Sequence, residues 1–242
     1  MGSATLSAEK RQSLAMLAAD LRRVFGPRLL SICAYGVEHG NDDDTHTIVL
    51  VDRLTFDDLA ACVPLTRGWD AGGLAVPLLL EEQEFIRTLD VFPLEYGDIL
   101  AHHVVIEGRD PFENLAVAEA DLRRACELQA KSHLIHLREG FLESRGDARA
   151  VARLIAGSAD AFRRLLEHLV SLVRPAAAHR PHDTIAEDAE AAIGVPADLT
   201  REVLAAAGGG GPSVIADPTA LLQRYVGAVE QIWEFVDRWK QR

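Results

Sequence analysis

Three consecutive acids, Asp42, Asp43 and Asp44, lie in the stretch LLSICAYGVEHGNDDDTHTIVLV between Leu29 and Val51. Carboxylates are the side chains that hold hard divalent cations through oxygen. Such a triplet is equally a solvated turn, because Asp is a strong turn former. Asp90 is a single acid inside the apolar run RTLDVFPLEY. A carboxylate buried there must find a partner or take up a proton. Three readings stay open for it: a metal ligand, an ion pair with Arg87 or Arg109, and exposure at a sheet edge. His133 and His136 stand three apart, a spacing that shares one helix face. A structural zinc wants two ligands more, and no matching Cys or His pair is near in the sequence. His102 and His103 are adjacent and diverge on a helix, so they make no joint site. The chain has no Gly-Lys-Ser/Thr phosphate loop and no Gly-x-Ser-x-Gly elbow.

These residues depend on the elements that carry them. The stretch from Leu29 reads as a strand to Tyr35, a polar turn over Gly36 to Asp44, and a second strand from His46 to Val51. An amphipathic helix, Ser7 to Phe25, precedes it, with Ser7 as N-cap and Gly26-Pro27 as its stop. A helix capped by Thr55 follows to Val63, then a loop over Gly68 to Gly73, a strand-like run from Ala75 to Leu80, and a short acidic helix from Glu81 to Arg87. Arg87 to Tyr96 reads as another strand, with Pro93 favouring its edge or end. Gly108-Arg109-Asp110-Pro111 is a turn, and divides residues 1–108 from residues 109–242. Beyond it the pattern is helical: a long run ending near Glu143, Asp147 to Arg174, Asp183 to Ile193, Leu199 to Ala207, and a last helix from Pro218. That helix carries Trp233 and Trp239 on an apolar face too large to leave wet, so it is expected to pack into the bundle or across a dimer interface.

The chain has 242 residues and a formal net charge of −12, enough length for one large or two small cores. That charge opposes sequence-independent binding to nucleic acid, which runs on Lys and Arg. No apolar run reaches the length of a membrane span, no signal peptide is recognised, and a cytoplasmic location is expected. Cys33, Cys62 and Cys126 are odd in number and unpaired in pattern, as expected of reduced thiols.

A strand ending in Gly-Ser, a polar loop and a strand opening with Asp-x-Asp mark the polymerase-beta-like nucleotidyltransferases. Tyr35-Gly36, the TIVLV strand and the LDVFPLEY run resemble that frame, and the order of elements is similar to the layout of kanamycin-nucleotidyltransferase-like proteins. The resemblance implies an α+β fold, a small mixed sheet flanked by helices followed by a C-terminal helical bundle. It puts Gly36 and Val37 at the nucleotide-binding turn, with Val37 where the family has Ser. Active members hold two magnesium ions on the two strand carboxylates and a third from a neighbouring strand, which the resemblance places at Asp90. Alignment on TIVLV puts Thr45 and Thr47 at the paired positions. A second register pairs Asp44 with His46, and a third uses Asp42 and Asp44.

The resemblance therefore implies a degenerate nucleotidyltransferase without a metal cofactor, acting as a nucleotide- or protein-binding module, with a protein partner or a second copy engaged through the C-terminal helices. One alternative is an active magnesium enzyme with a site rebuilt from Asp42, Asp44 and Asp90. Another follows from Arg163-x-x-x-x-His168, which resembles the Arg-x4-6-His motif of the HEPN ribonucleases, components of toxin–antitoxin pairs.

Overall fold

The computed structural model describes residues 6–36, 45–174, 184–207 and 215–239. The chain divides into two units, Met1–Ala118 and Glu119–Arg242.

In the first unit, helix α1 (Ala8–Phe25) starts where the Ser7 hydroxyl accepts from the Lys10 amide at 3.1 Å. Strands β1 (Leu29–Tyr35) and β2 (His46–Val51) follow, then helices α2 (Phe56–Cys62) and α3 (Thr66–Ala71). Strand β3 (Leu78–Glu81), helices α4 (Glu82–Arg87) and α5 (Pro93–Ala101), and strand β4 (His103–Gly108) complete it. The sheet order is β3-β2-β1-β4. β1 is antiparallel to both β2 and β4, and β2 is parallel to β3, so the sheet is mixed.

One face of the sheet packs Ile32, Ala34, Val49 and Val51 against Leu14, Leu17 and Leu21 of α1. The other packs Cys33, Ile48 and Leu50 against Phe85, Tyr96, Ile99 and Phe112. The division between units falls after residue 108 because Phe112, Leu115 and Val117 still pack on this second face. α1 is also tied to β4 by the two bonds from Arg22 to Glu107, at 2.6 and 2.7 Å.

The run from Arg87 to Tyr96 is not a strand. It is the end of α4, a turn over Thr88 to Phe92, and the start of α5. Pro93 sits in the first turn of a helix, where its missing N–H costs nothing, and Leu94, Tyr96 and Ile99 then turn inward at helical spacing. The fourth strand is instead β4, whose β-branched Val104-Val105-Ile106 is an ordinary strand signal. The segment read as a loop from Gly68 forms most of α3, fixed by buried Trp69, whose indole donates to Asp20 at 3.0 Å.

The second unit is helical: α6 (Glu119–Ser144), α7 (Ala148–Val173), α8 (Ile185–Ile193), α9 (Ala197–Ala207) and α10 (Pro218–Arg238). α10 buries Leu221, Leu222, Tyr225, Ala228, Val229, Ile232 and Val236. Both tryptophans flank that face and are half-buried: Trp233 lies under the Lys131 ammonium, 3.7 Å from the ring centroid, and Trp239 stacks on Phe235. His133 is buried between Phe162 and Tyr225, with Nε2 2.6 Å from the Tyr225 hydroxyl. Burial, helped by His136, pushes His133 down to about 4 from its ordinary 6.5.

Two predictions follow from this packing. Gly108 has φ +81°, and a Cβ there would meet the Leu30 carbonyl oxygen at 2.1 Å, whereas Gly73, with φ +68°, has open space around it. Gly108→Ala is expected to lower stability by more than about 2 kcal/mol and Gly73→Ala by about 1 kcal/mol in urea titrations; equal losses would deny the clash. For His133 the folded pKa lies below the unfolded one, so the unfolded chain binds more protons between them. Stability is complete above pH 6.5 and falls as the pH drops toward 4, by at most about 3 kcal/mol. Melts followed through tryptophan fluorescence should show that slope, and His133→Leu should flatten it.

Candidate functional site

Side chains alternate across a strand, and directly opposed antiparallel residues share a face. Tyr35 is paired with His46 on one side and with His103 on the other. The three therefore form a row across β2, β1 and β4, on the face opposite α1, at the end of the sheet where Gly36 leaves β1. Gly36 is exposed with φ +70°, a left-handed conformation that suits glycine, and its nearest neighbour beyond the adjacent residues is the His46 ring.

The members of the row differ in freedom. Tyr35 and His46 stack, with ring centroids 5.6 Å apart and 25° between planes. Tyr35 is half-buried, and burial pushes its phenol above the ordinary value. His46 is exposed, and its nitrogens make no hydrogen bond to another described residue. His103 is held: Nδ1 donates to the Ile99 and Leu100 carbonyls at 3.0 and 3.2 Å, Nε2 lies 3.3 Å from Asp110, and Phe112 meets the ring edge-on. Asp110 is itself fixed by the Phe112 amide at 2.9 Å. His103 is thus held at both ring nitrogens, whereas His46 is held only through its ring face among the described residues.

Thr45 and Thr47 lie on the opposite side of β2. They are 4% and 1% exposed, and neither Oγ1 has a hydrogen-bond partner among the described residues. Thr47 opposes Ala34, within the layer that packs against α1. No ligand reaches these positions, so the register that put them at the carboxylate positions is not the one the sheet uses for an accessible site. The accessible positions of β2 begin at His46.

Asp90 lies exposed in the turn between α4 and α5, not on a strand. It makes no ion pair with a described residue: Arg109 bonds Glu82 instead. The carboxylate at the end of β3, Glu81, accepts from the Leu54 amide at 3.0 Å and pairs with Val51, at the far end of the sheet from His46. Val37, Asp42, Asp43 and Asp44 lie outside the described residues. In the helical unit, Arg163 bonds Glu167 of its own helix at 2.9 Å and lies near Asp160, while His133 is buried and His136 faces Glu139. The Tyr35–His46–His103 row went unread in sequence because β4 was not recognised. The adjacent pair His102-His103, ahead of three β-branched residues, was the available signal.

The chain is similar in structure to the spectinomycin adenyltransferase AAD(9) from Enterococcus faecialis, solved with ATP and spectinomycin, at a TM-score of 0.54 and 10% identity, over 90% of this chain and 98% of that one. The fold is nucleotidyltransferase-like. No protein-family model matches the sequence, and no curated protein matches it. The expected α+β architecture, a small mixed sheet with flanking helices followed by a helical region, is the one found. No described helix is long and apolar enough to cross a membrane.

The buried hydroxyls yield a direct test of the register. Thr47→Val should raise stability by about 1 kcal/mol, because it removes a hydroxyl that is buried without a partner. Thr47→Asp should abolish folding of the first unit, because it buries a charge under α1. A folded Thr47→Asp protein that binds magnesium would return Thr47 to the accessible face.

Proposed function

We propose that this chain is a nucleotidyltransferase-fold protein that binds a nucleotide at the Tyr35–Gly36–His46 end of its sheet and does not transfer it. The observation that carries this reading is the identity of the first accessible residue on β2. Two-metal transfer needs carboxylates two apart on one accessible strand face. That face carries His46, then Ile48 and Leu50, which are buried. An imidazole in place of a carboxylate suits magnesium poorly. Even with Asp44 contributing, the pair is one acid short, and Asp90 stands on a turn rather than on a neighbouring strand.

The exposed His46 ring, backed by Tyr35, presents a π surface of the kind on which bases stack, at a cost of about 1–3 kcal/mol when such a ring is lost. Support for a nucleotide as the ligand class comes from the structural neighbour, which was solved with ATP. Without paired metals, charge developing at the α-phosphorus goes unneutralised. The barrier then rises by several kcal/mol, on the order of a thousandfold in rate.

Calorimetric titration of ATP and GTP, with magnesium and with EDTA, measures this reading. Affinity should change less than about twofold between the two conditions and fall about tenfold in His46→Ala, the loss expected for one stacking ring. His46→Asp with Val37→Ser should make binding magnesium-dependent. Magnesium-dependent transfer by the native chain to an aminoglycoside, protein or RNA acceptor, abolished in Asp44→Ala or Asp90→Ala, would overturn the proposal in favour of a rebuilt metal site.

A further inference from the structure

The connector that leaves β4 is fastened to the first unit at several points. Ser31 Oγ donates to the Arg109 carbonyl at 2.8 Å, and the Arg109 side chain is bonded to Glu82 of α4. Asp110 accepts from the Phe112 amide at 2.9 Å, a turn that delivers Phe112 into the second core against Phe85. His103 meets this turn from the sheet. Its Nε2 lies 3.3 Å from the Asp110 carboxylate, and Phe112 packs edge-on to its ring.

The contacts of His103 select one protonation form. Nδ1 meets the Ile99 and Leu100 carbonyl oxygens at 3.0 and 3.2 Å. Carbonyl oxygens only accept, so Nδ1 carries a hydrogen. Nε2 meets a carboxylate oxygen, which also only accepts. In a neutral ring one nitrogen would turn a lone pair on an acceptor, whereas the imidazolium has a hydrogen for each contact. The two carbonyls belong to the C-terminal end of α5, where partial negative charge favours a cation.

The other ionisable groups around the ring leave that contact undisturbed. On β1, burial keeps the opposed Tyr35 and the neighbouring Cys33 protonated, the thiol pushed up to about 11. At the end of α5, Asp98 and His102 both have interactions of their own. Arg109 and Glu82 satisfy each other, and Glu107 of the same strand is turned to Arg22 of α1.

We propose that His103 is a pH-sensitive clasp on the connector. Charged, it holds the Asp110 turn against the sheet. As rising pH removes the Nε2 proton, a lone pair faces the carboxylate and the segment from Arg109 to Val117 opens more readily. Nδ1 keeps its hydrogen, so the ring stays on α5 and the change is confined to the connector. The sign is opposite to that of His133: the clasp is complete at lower pH, while Asp110 remains ionised, and is lost as the pH rises. Its two side chains are 14% and 43% exposed, so water weakens the pair without removing it. The clasp needs no ligand at the Tyr35–Gly36–His46 end and stands apart from the nucleotide reading.

Two measurements on the full chain test it. Nitrogen-15 spectra of the histidine rings, with His103 assigned through His103→Gln, follow protonation from about pH 5 to about pH 9. Both His103 nitrogens should carry hydrogen at the low end and Nδ1 alone at the high end. Hydrogen exchange over residues 109–118, corrected for the intrinsic rate at each pH, should lose roughly fivefold protection across the same transition, the size of one partly exposed charge-assisted contact. Asp110→Asn keeps an acceptor for the Phe112 amide and should abolish that loss. Because linkage is reciprocal, His103 should also bind its proton about fivefold less tightly in this variant. Protection over 109–118 that is flat with pH overturns the proposal. So does a loss that persists in Asp110→Asn, or a neutral His103 ring with its hydrogen on Nε2.

Discussion

The alternation of β2 is the constraint on which the rest of the first unit depends. The strand lies between β1 and β3, and its side chains divide by the period of two between α1 on one face and the α4–α5 layer on the other. Val49 and Val51 oppose Ile32 and Leu29 and pack beneath Leu14, Leu17 and Leu21. Ile48 and Leu50 fill the second core with Phe85 and Tyr96. A slip of one residue would exchange the two sets and move His46 into the α1 layer, which is why the register of a strand buried on both faces is so strongly specified. Two buried threonine hydroxyls without partners among the described residues are tolerated as the cost of that register.

The chemistry follows from the same alternation. Whatever the loop before β2 contributes, the strand offers one accessible polar residue, His46, and then runs apolar. An imidazole stacked on a tyrosine favours a flat, polarisable ligand over a hard cation, because its nitrogens are softer donors than carboxylate oxygens. His103 completes the row from the far side of β1, but two carbonyls and Asp110 already claim its nitrogens. One imidazole is thus spent on rigidity, and the other makes no hydrogen bond among the described residues. That division leaves His46, and not His103, exposed at this end of the sheet.

Much of this was legible in the sequence, for reasons that differ by element. β1, β2, α1 and the later helices carry complete patterns; the caps read at Ser7 and Thr55 accept the expected backbone N–H, and Asp147 and Asp217, not read as caps, do the same for two later helices. Asp90 was misplaced because RTLDVFPLEY satisfies a strand template locally. What decides it is tertiary: Phe92 and Phe85 both pack on Tyr96, and that cluster forms only if Pro93 starts a helix. With that strand gone, the neighbour of β1 had to come from further along, at His103. The register between Thr45 and His46 could not be read from sequence, since β2 is apolar in both phases after Thr47. Only the position of α1 tells the two faces apart.

Two buried ionisable groups, Asp58 and His133, are satisfied inside the fold. Asp58 is satisfied by Arg28 and Thr55, and His133 by Tyr225, whose hydroxyl in turn reaches Ser158. Each has its partners within its own unit, and each is shifted toward a fixed protonation state near neutral pH: Asp58 charged, His133 neutral. Groups so paired serve the packing of their own units. His46 is the opposite case. It is exposed, unbonded among the described residues, and supported only through its ring face.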